Sequence, residues 1–174
     1  VSITFDDGLA NTYNNGMPVL DKNGYKATWY LNASTLNTPS YMNKNQAKRL
    51  LAGGQEVGSH SYNHVDLATL TAAQKQYQVA ANKNALESIL GTPVVHFATP
   101  FGSYNSSALS NIMQYNQTHR DTSGKMNYPY AYDASLVHAK VITKSISLAD
   151  IDALIATAEQ QKAWLVLVYH GIGT

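Results

Sequence analysis

The chain opens with Val1-Ser2-Ile3-Thr4-Phe5-Asp6-Asp7-Gly8 (VSITFDDG), a short apolar run that ends in two adjacent carboxylates and a glycine. Val1 to Phe5 predicts a buried strand, and Asp6, Asp7 and Gly8 predict the polar turn that stops it. Neighbouring like charges repel. The pair therefore reads in one of two ways: as turn and helix-start chemistry, where Asp is favoured, or as two carboxylates with a cation beside them.

The same rhythm repeats to the end of the chain. Helical spacing predicts helices over Thr12–Asn23, Asn43–Ala52, Thr71–Leu90, Ser106–Tyr115 and Ser147–Lys162. Gly24, Gly53 and Gly91 serve as stops, and Ser147 with Asp150 forms a capping-box spacing. Strands are predicted over Ala27–Asn32, Gln55–Ser59, Val94–Ala98, Val137–Thr143 and Trp164–Tyr169, and His119–Asp133 reads as irregular. Strand and helix alternate with no linker and no internal repeat. Near-continuous apolar strands in such a series predict parallel strands covered by helices. The C-terminal ends of parallel strands share one face, where such folds carry their sites.

Composition narrows the function classes. The 174 residues suffice for one domain with a real core, read here as 1–174 and trimmed to a domain core at both ends. Charged residues make up 13% and the formal net charge is +1, so no basic stripe points to nucleic acid. There is no cysteine, which excludes disulfides and thiolate metal sites. No apolar run reaches the length of a membrane span. A surface of Asn, Gln, Ser, Thr and Tyr suits an extracellular protein that meets hydroxyl-rich ligands. The expected location is secreted or cell-envelope, in a bacterium, and the expected state is a monomer.

Chemistry concentrates at the predicted strand ends. His60-Ser61-Tyr62-Asn63-His64 places two imidazoles four residues apart, on one face if the stretch makes a helical turn, and two such imidazoles can share a metal ion. With one carboxylate they would make a three-ligand site suited to Zn²⁺ that leaves a position open for water. The alternative is two unrelated surface histidines. Thr99-Pro100-Phe101-Gly102 is a tight loop whose backbone N–H groups can point at a ligand. Tyr169-His170-Gly171 puts a histidine just past an apolar strand, as a general acid or base or as a simple cap. His96, His119 and His138 fall outside these clusters and read as structural.

Taken in order, TFDDG (Thr4–Gly8), HSYNH (His60–His64), TPFG (Thr99–Gly102) and the final YHG (Tyr169–Gly171) resemble the motif series of the polysaccharide deacetylases. This is carbohydrate esterase family four, the NodB-homology domain. The resemblance spans Thr4 to His170. It implies an α/β fold, an irregular (β/α) barrel of seven parallel strands in a single domain. It also implies a catalytic base at Asp6 and metal ligands at Asp7, His60 and His64. His170 becomes the general acid and the Phe101 N–H an oxyanion donor. The implied cofactor is a divalent metal, Zn²⁺ first, with Co²⁺ or another divalent ion as alternatives. The implied partner is a polysaccharide or oligosaccharide, and Tyr62, Pro100 and Tyr104 are expected to wall it.

The family's third motif begins with an Arg that pairs with the catalytic Asp, and that position is Ala98 here. Arg120 is the candidate replacement. The family's fourth motif, which orients the acid histidine, has no clear match, and Asp121 is the candidate for that role. The Tyr-rich run Met126–Tyr132 reads either as sugar-stacking rings or as packing on the barrel flank. Three Asn-x-Ser/Thr sequons, at Asn32, Asn105 and Asn116, are expected to be unused. N-deacetylation of an N-acetylglucosamine polymer (chitin-like, peptidoglycan or poly-N-acetylglucosamine) is the first expectation. Acetylxylan esterase is the alternative within enzymes, and a carbohydrate-binding pseudoenzyme is the alternative outside them.

Overall fold

The computed structural model describes residues 1–173. Seven strands, β1 (Ser2–Phe5), β2 (Ala27–Leu31), β3 (Glu56–Ser59), β4 (His96–Ala98), β5 (Thr118–Arg120), β6 (Lys140–Val141) and β7 (Val166–Tyr169), form one sheet. Its order is β5-β4-β3-β2-β1-β7-β6, and every pairing is parallel. Five helices cover it: α1 (Ala10–Asn23), α2 (Lys44–Ala52), α3 (Ala72–Leu90), α4 (Ser106–Tyr115) and α5 (Leu148–Gln160). The sheet curls, and one parallel bridge between Arg120 and Val137 ties β5 to the stretch leading into β6. The result is a single α/β domain of the irregular barrel type.

Local chemistry explains the helix boundaries. Asn43 with Gln46, Thr71 with Gln74 and Ser147 with Asp150 each form a complete capping box. Gly24 (φ 69°) and Gly91 (φ 71°) end α1 and α3 in the left-handed conformation that glycine adopts without steric cost.

Strand residues divide between two faces with period two. Phe5, Trp29, Leu31 and Val57 point outward and pack on Met17 and Leu20 of α1, Ala47 and Leu50 of α2 and Leu86 of α3. The Phe5 and Trp29 rings lie 4.3 Å apart. Phe97 packs with Val79, Ala108 and Ile112, and Leu165 and Leu167 pack with Ala158. The apolar core thus lies between the sheet and its helices. The inward residues of β1 to β5 are largely polar: Thr4, Thr28, Tyr30, Glu56, His96, Thr118 and Arg120 line a lumen of about 220 Å³. The strands are therefore not near-continuously apolar, contrary to the expectation from the sequence. Each alternates, and the barrel interior holds hydroxyls and an ion pair between His96 and Glu56 (Nε2 to Oε1 3.0 Å).

Two boundaries differ from the sequence expectation. The stretch His119–Asp133 is not wholly irregular: its first residues belong to β5, which pairs with β4 through His96–Thr118, Phe97–His119 and Ala98–Arg120. Thr-His-Arg carries no apolar signal because Arg120 faces the polar lumen. His119 faces outward but is buried among polar partners: Nδ1 donates to the Ser135 carbonyl and Nε2 accepts from the Thr99 hydroxyl. The predicted strand Val137–Thr143 shortens to Lys140–Val141, because its first part crosses the seam and bonds to β5 instead (Val137 N to His119 O, 2.9 Å).

Trp29→Ala should lower stability by about 3–5 kcal/mol, read from the denaturant midpoint, because it empties the centre of the largest apolar cluster. A second expectation concerns acid. Burial pushes His119 down to about 4, against 6.5 when unfolded. The neutral ring is favoured in the fold, so this stabilisation is complete above pH 6.5 and is lost as pH falls from there through 4. Unfolding curves across that window should show a decline of roughly 2–4 kcal/mol attributable to His119.

Candidate metal centre and its surroundings

Two strand ends converge on one spot. Asp7 follows β1, and His60 to His64 follow β3. Asp7 Oδ1 lies 3.4 Å from His60 Nε2 and 3.1 Å from His64 Nε2. Among the described residues these three form the group able to hold a metal ion.

The donor chemistry fits a cation. His60 is fully buried, and its Nδ1 lies 2.8 Å from the Ala98 carbonyl oxygen. That oxygen can only accept, so Nδ1 carries the proton and Nε2 presents a lone pair. This lone pair faces a carboxylate oxygen, and both Asp7 Oδ1 and His60 Nε2 are buried without a hydrogen-bond partner. Unpaired buried acceptors are costly. A tetrahedral Zn²⁺ with ligands at about 2.0–2.2 Å would set them roughly 3.3–3.6 Å apart, close to the separations found.

The loop geometry is strained where the donors sit. Among the described residues, Asp7 (φ 71°), Ser61 (φ 63°), His64 (φ 54°) and Phe101 (φ 60°) are four of the seven non-glycine residues with positive φ. Such strain persists only where surrounding structure enforces it, and it gathers at functional sites. HSYNH is consequently a bent loop and not the helical turn expected from its spacing. The two imidazoles meet because the backbone reverses at Ser61 and His64, with ring centroids 5.0 Å apart. One asparagine braces this loop and another braces the strand ends that lead into it. Asn32 Nδ2 donates to the carbonyls of His60 and Ser61, and Asn82 of α3 binds the Leu31 carbonyl, the Ser59 hydroxyl and the Ala33 N–H. Neither appeared as a site residue in the sequence. The signals were present: Asn32 directly follows β2, and Asn82 is a polar residue on the buried face of a helix.

Asp6 points into the barrel and is 2% exposed. Arg120 Nη2 donates to both its oxygens, at 2.7 and 2.5 Å. Ala98 and Arg120 are register partners on adjacent parallel strands. The guanidinium therefore enters the lumen one strand away from position 98, at the same level. His170 follows β7, is partly exposed, and sets Nε2 3.9 Å from Asp6 Oδ2. Its backbone carbonyl accepts from Thr12 of α1 (2.7 Å). Phe101 is exposed, and its ring meets the His64 ring edge-on at 4.7 Å.

Asp121 does not reach His170. It binds His138 Nδ1 (2.8 Å) and the Ser123 N–H and hydroxyl (3.0 Å each). The reason is strand alternation: consecutive residues face opposite sides, so Arg120 turns in and Asp121 turns out. Of the expected wall residues, Pro100 is buried, and Tyr104 packs edge-on against His119 at 4.8 Å. Tyr62 stands edge-on to Tyr77 at 5.6 Å. The Tyr-rich run lies at the opposite end of the barrel: Asn127 pairs with Trp164, just before β7 begins, and Tyr128 bonds to Gln161 at the end of α5. Those rings stand away from His170, which follows the other end of β7.

Comparison with known proteins identifies the family of the chain. The family model described as "Polysaccharide deacetylase" matches residues 1–119. The chain belongs to the polysaccharide deacetylase family. A chitin deacetylase from Pestalotiopsis sp is 37% identical over 111 residues, which is 64% of this chain and 37% of that protein. A bifunctional xylanase/deacetylase from Pseudobutyrivibrio xylanivorans is 30% identical, over 64% of this chain and 18% of that one. The chain thus spans well under half the length of these relatives. Among solved structures, the Streptococcus pyogenes deacetylase PplD in complex with acetate superposes with a TM-score of 0.82 at 22% identity, covering 88% of this chain and 69% of that one. Polysaccharide deacetylases are generally metal-dependent, and the Asp7, His60 and His64 donors fit that chemistry.

Asp7→Ala should lower Zn²⁺ affinity at least 100-fold in a chelator-competition titration, because it removes the only carboxylate of the set. Asn32→Ala should lower it by about 10–100-fold, as loss of an outer-shell brace does at other metal sites.

Proposed function

We propose that this domain is a metal-dependent hydrolase that removes acetyl groups from a polysaccharide, with an N-acetylglucosamine polymer as first substrate. The observation that carries the reading is the pairing of two separate carboxylate environments. Asp7 faces two imidazoles, whereas Asp6 faces Arg120 and His170. A binding protein has no need of a carboxylate and an imidazole converging beside a metal site.

When bound, a divalent cation held by Asp7, His60 and His64 supplies Lewis acidity, making water acidic enough to attack near neutral pH and drawing charge from the acetyl carbonyl. The protein's own groups do the rest. Asp6 accepts the proton of the attacking water. Arg120 donates to both Asp6 oxygens and so fixes the carboxylate plane. The Phe101 N–H donates to the acetyl oxygen as charge develops on it, an interaction whose loss typically costs about 10²–10³ in rate. The left-handed backbone of Phe101 (φ 60°, ψ 5°) departs from helical geometry and re-aims that amide. His170 protonates the departing nitrogen, or oxygen in an ester, and acetate leaves.

Acetylxylan is the second substrate class, because the same groups cleave an acetyl ester and the xylanase/deacetylase relative supports it. We place the protein outside the cytoplasm, acting as a monomer on neutral polymer, in line with its low charge.

The test is acetate release from chito-oligosaccharides and from acetylated xylan, before and after chelation and Zn²⁺ addition. Release from chito-oligosaccharides that is abolished by chelator and restored by metal is expected. No release from either substrate by the metal-loaded protein would sink the enzyme reading. Asp6→Asn should lower kcat by at least 10³ with metal still bound. Arg120→Ala should lower kcat by about 10–100-fold and leave metal affinity within threefold.

A further inference from the structure

Arg120 is held on only part of its guanidinium. Nη2 binds Asp6 and Nη1 reaches the Asp121 carbonyl at 3.3 Å, but Nε is buried with no partner. No hydrogen bond therefore fixes the Nε edge of the group. What faces it is the ring of Tyr30 on β2, whose centroid lies 5.1 Å from Arg120 Cζ. Tyr30 is itself 6% exposed and sits in the middle of the sheet. On its other side the neighbouring strand carries Gly58, the register partner of Tyr30. A Cβ at Gly58 would come within 2.5 Å of two Tyr30 ring carbons and 3.1 Å of the His96 carbonyl oxygen. The glycine therefore makes room for a ring lying flat across two strands.

Beneath this ring is the lumen of about 220 Å³, and Glu56 lines it together with Tyr30 and Arg120. Glu56 is a second carboxylate open to a long cation, engaged by the His96 ring and the Thr28 hydroxyl. An arginine without a shelf under it has space to swing down toward Glu56 and away from Asp6.

We propose that Tyr30 is a positioning residue for the hydrolysis: its ring, seated on Gly58, keeps the Arg120 guanidinium on Asp6 and out of the lumen. The ring face does this by cation–π attraction and by blocking the descent. The inference rests on the deacetylase reading for its kinetic consequence, and its structural content can be read independently.

The chain has two arginines, Arg49 on the exposed face of α2 and Arg120, so ¹⁵N-arginine-labelled protein gives two Nε–H signals. Tyr30→Met, or Tyr30→Leu where the Met variant does not fold, should move the Arg120 signal away from its wild-type position, and adding Glu56→Gln should move it back toward that position. The Met or Leu variant alone should lower kcat on a soluble chito-oligosaccharide 10–100-fold, with KM and Zn²⁺ affinity within twofold. Tyr30→Phe should leave both the signal and kcat within threefold of wild type. Adding Glu56→Gln to the Met or Leu variant should recover at least fivefold in kcat, because it removes the competing carboxylate. An Arg120 signal unmoved in the Met or Leu variant overturns the proposal, as does a Tyr30→Phe variant as damaged as they are. A wild-type protein that releases no acetate defeats the deacetylase reading alone, and the Arg120 signal then decides the positioning claim by itself.

Discussion

A carboxylate oxygen of Asp7 and a lone pair of His60 are held 3.4 Å apart, both buried and neither hydrogen-bonded. Two acceptors do not stay so placed unless the fold forces them together or a cation joins them. The surroundings are built around this contact. The Ala98 carbonyl fixes the His60 tautomer, Asn32 pins the loop that carries both imidazoles, Asn82 pins the strand end before it, and the backbone is left-handed at Asp7, Ser61 and His64. The facing acceptors and the left-handed backbone cost free energy by themselves, and they are coherent once the donors share a charge.

The second organising fact is the polar interior. Apolar burial lies between sheet and helices, where Trp29, Leu31 and Leu86 are fully or almost fully covered. That frees the inward positions of the strands for Thr, Glu, His and Arg. Asp6 can be nearly inaccessible and still paired, because Arg120 arrives from β5 at the level of Ala98. A buried pair of this kind is weak evidence for stability. Its value lies in orienting one carboxylate beside another that has a different task.

Much of this was legible in the order of residues. Alternating strands and helices, capping boxes and glycine stops set the architecture, since each element carries its own periodic signal. Asp7, His60 and His64 were legible as a candidate donor set because metal chemistry restricts residue type. Arg120 was nameable only as a candidate, since nothing in Thr-His-Arg reads as a strand and register alone sets Arg120 beside Ala98. Asp121 failed as the partner of His170 for the same reason: inward and outward directions depend on strand phase. The contacts of Asn32, Asn82 and Tyr30 reach 23 to 90 residues away in sequence, and no local pattern encodes such a distance.

The account stands or falls on one shared cation among Asp7, His60 and His64. X-ray absorption at the zinc edge of the metal-loaded protein tests it directly. The prediction is a site with two imidazole nitrogens and oxygen ligands at about 2.0–2.2 Å, with one imidazole lost in His60→Ala. A zinc environment with no imidazole contribution, or one unchanged by His60→Ala, would contradict it.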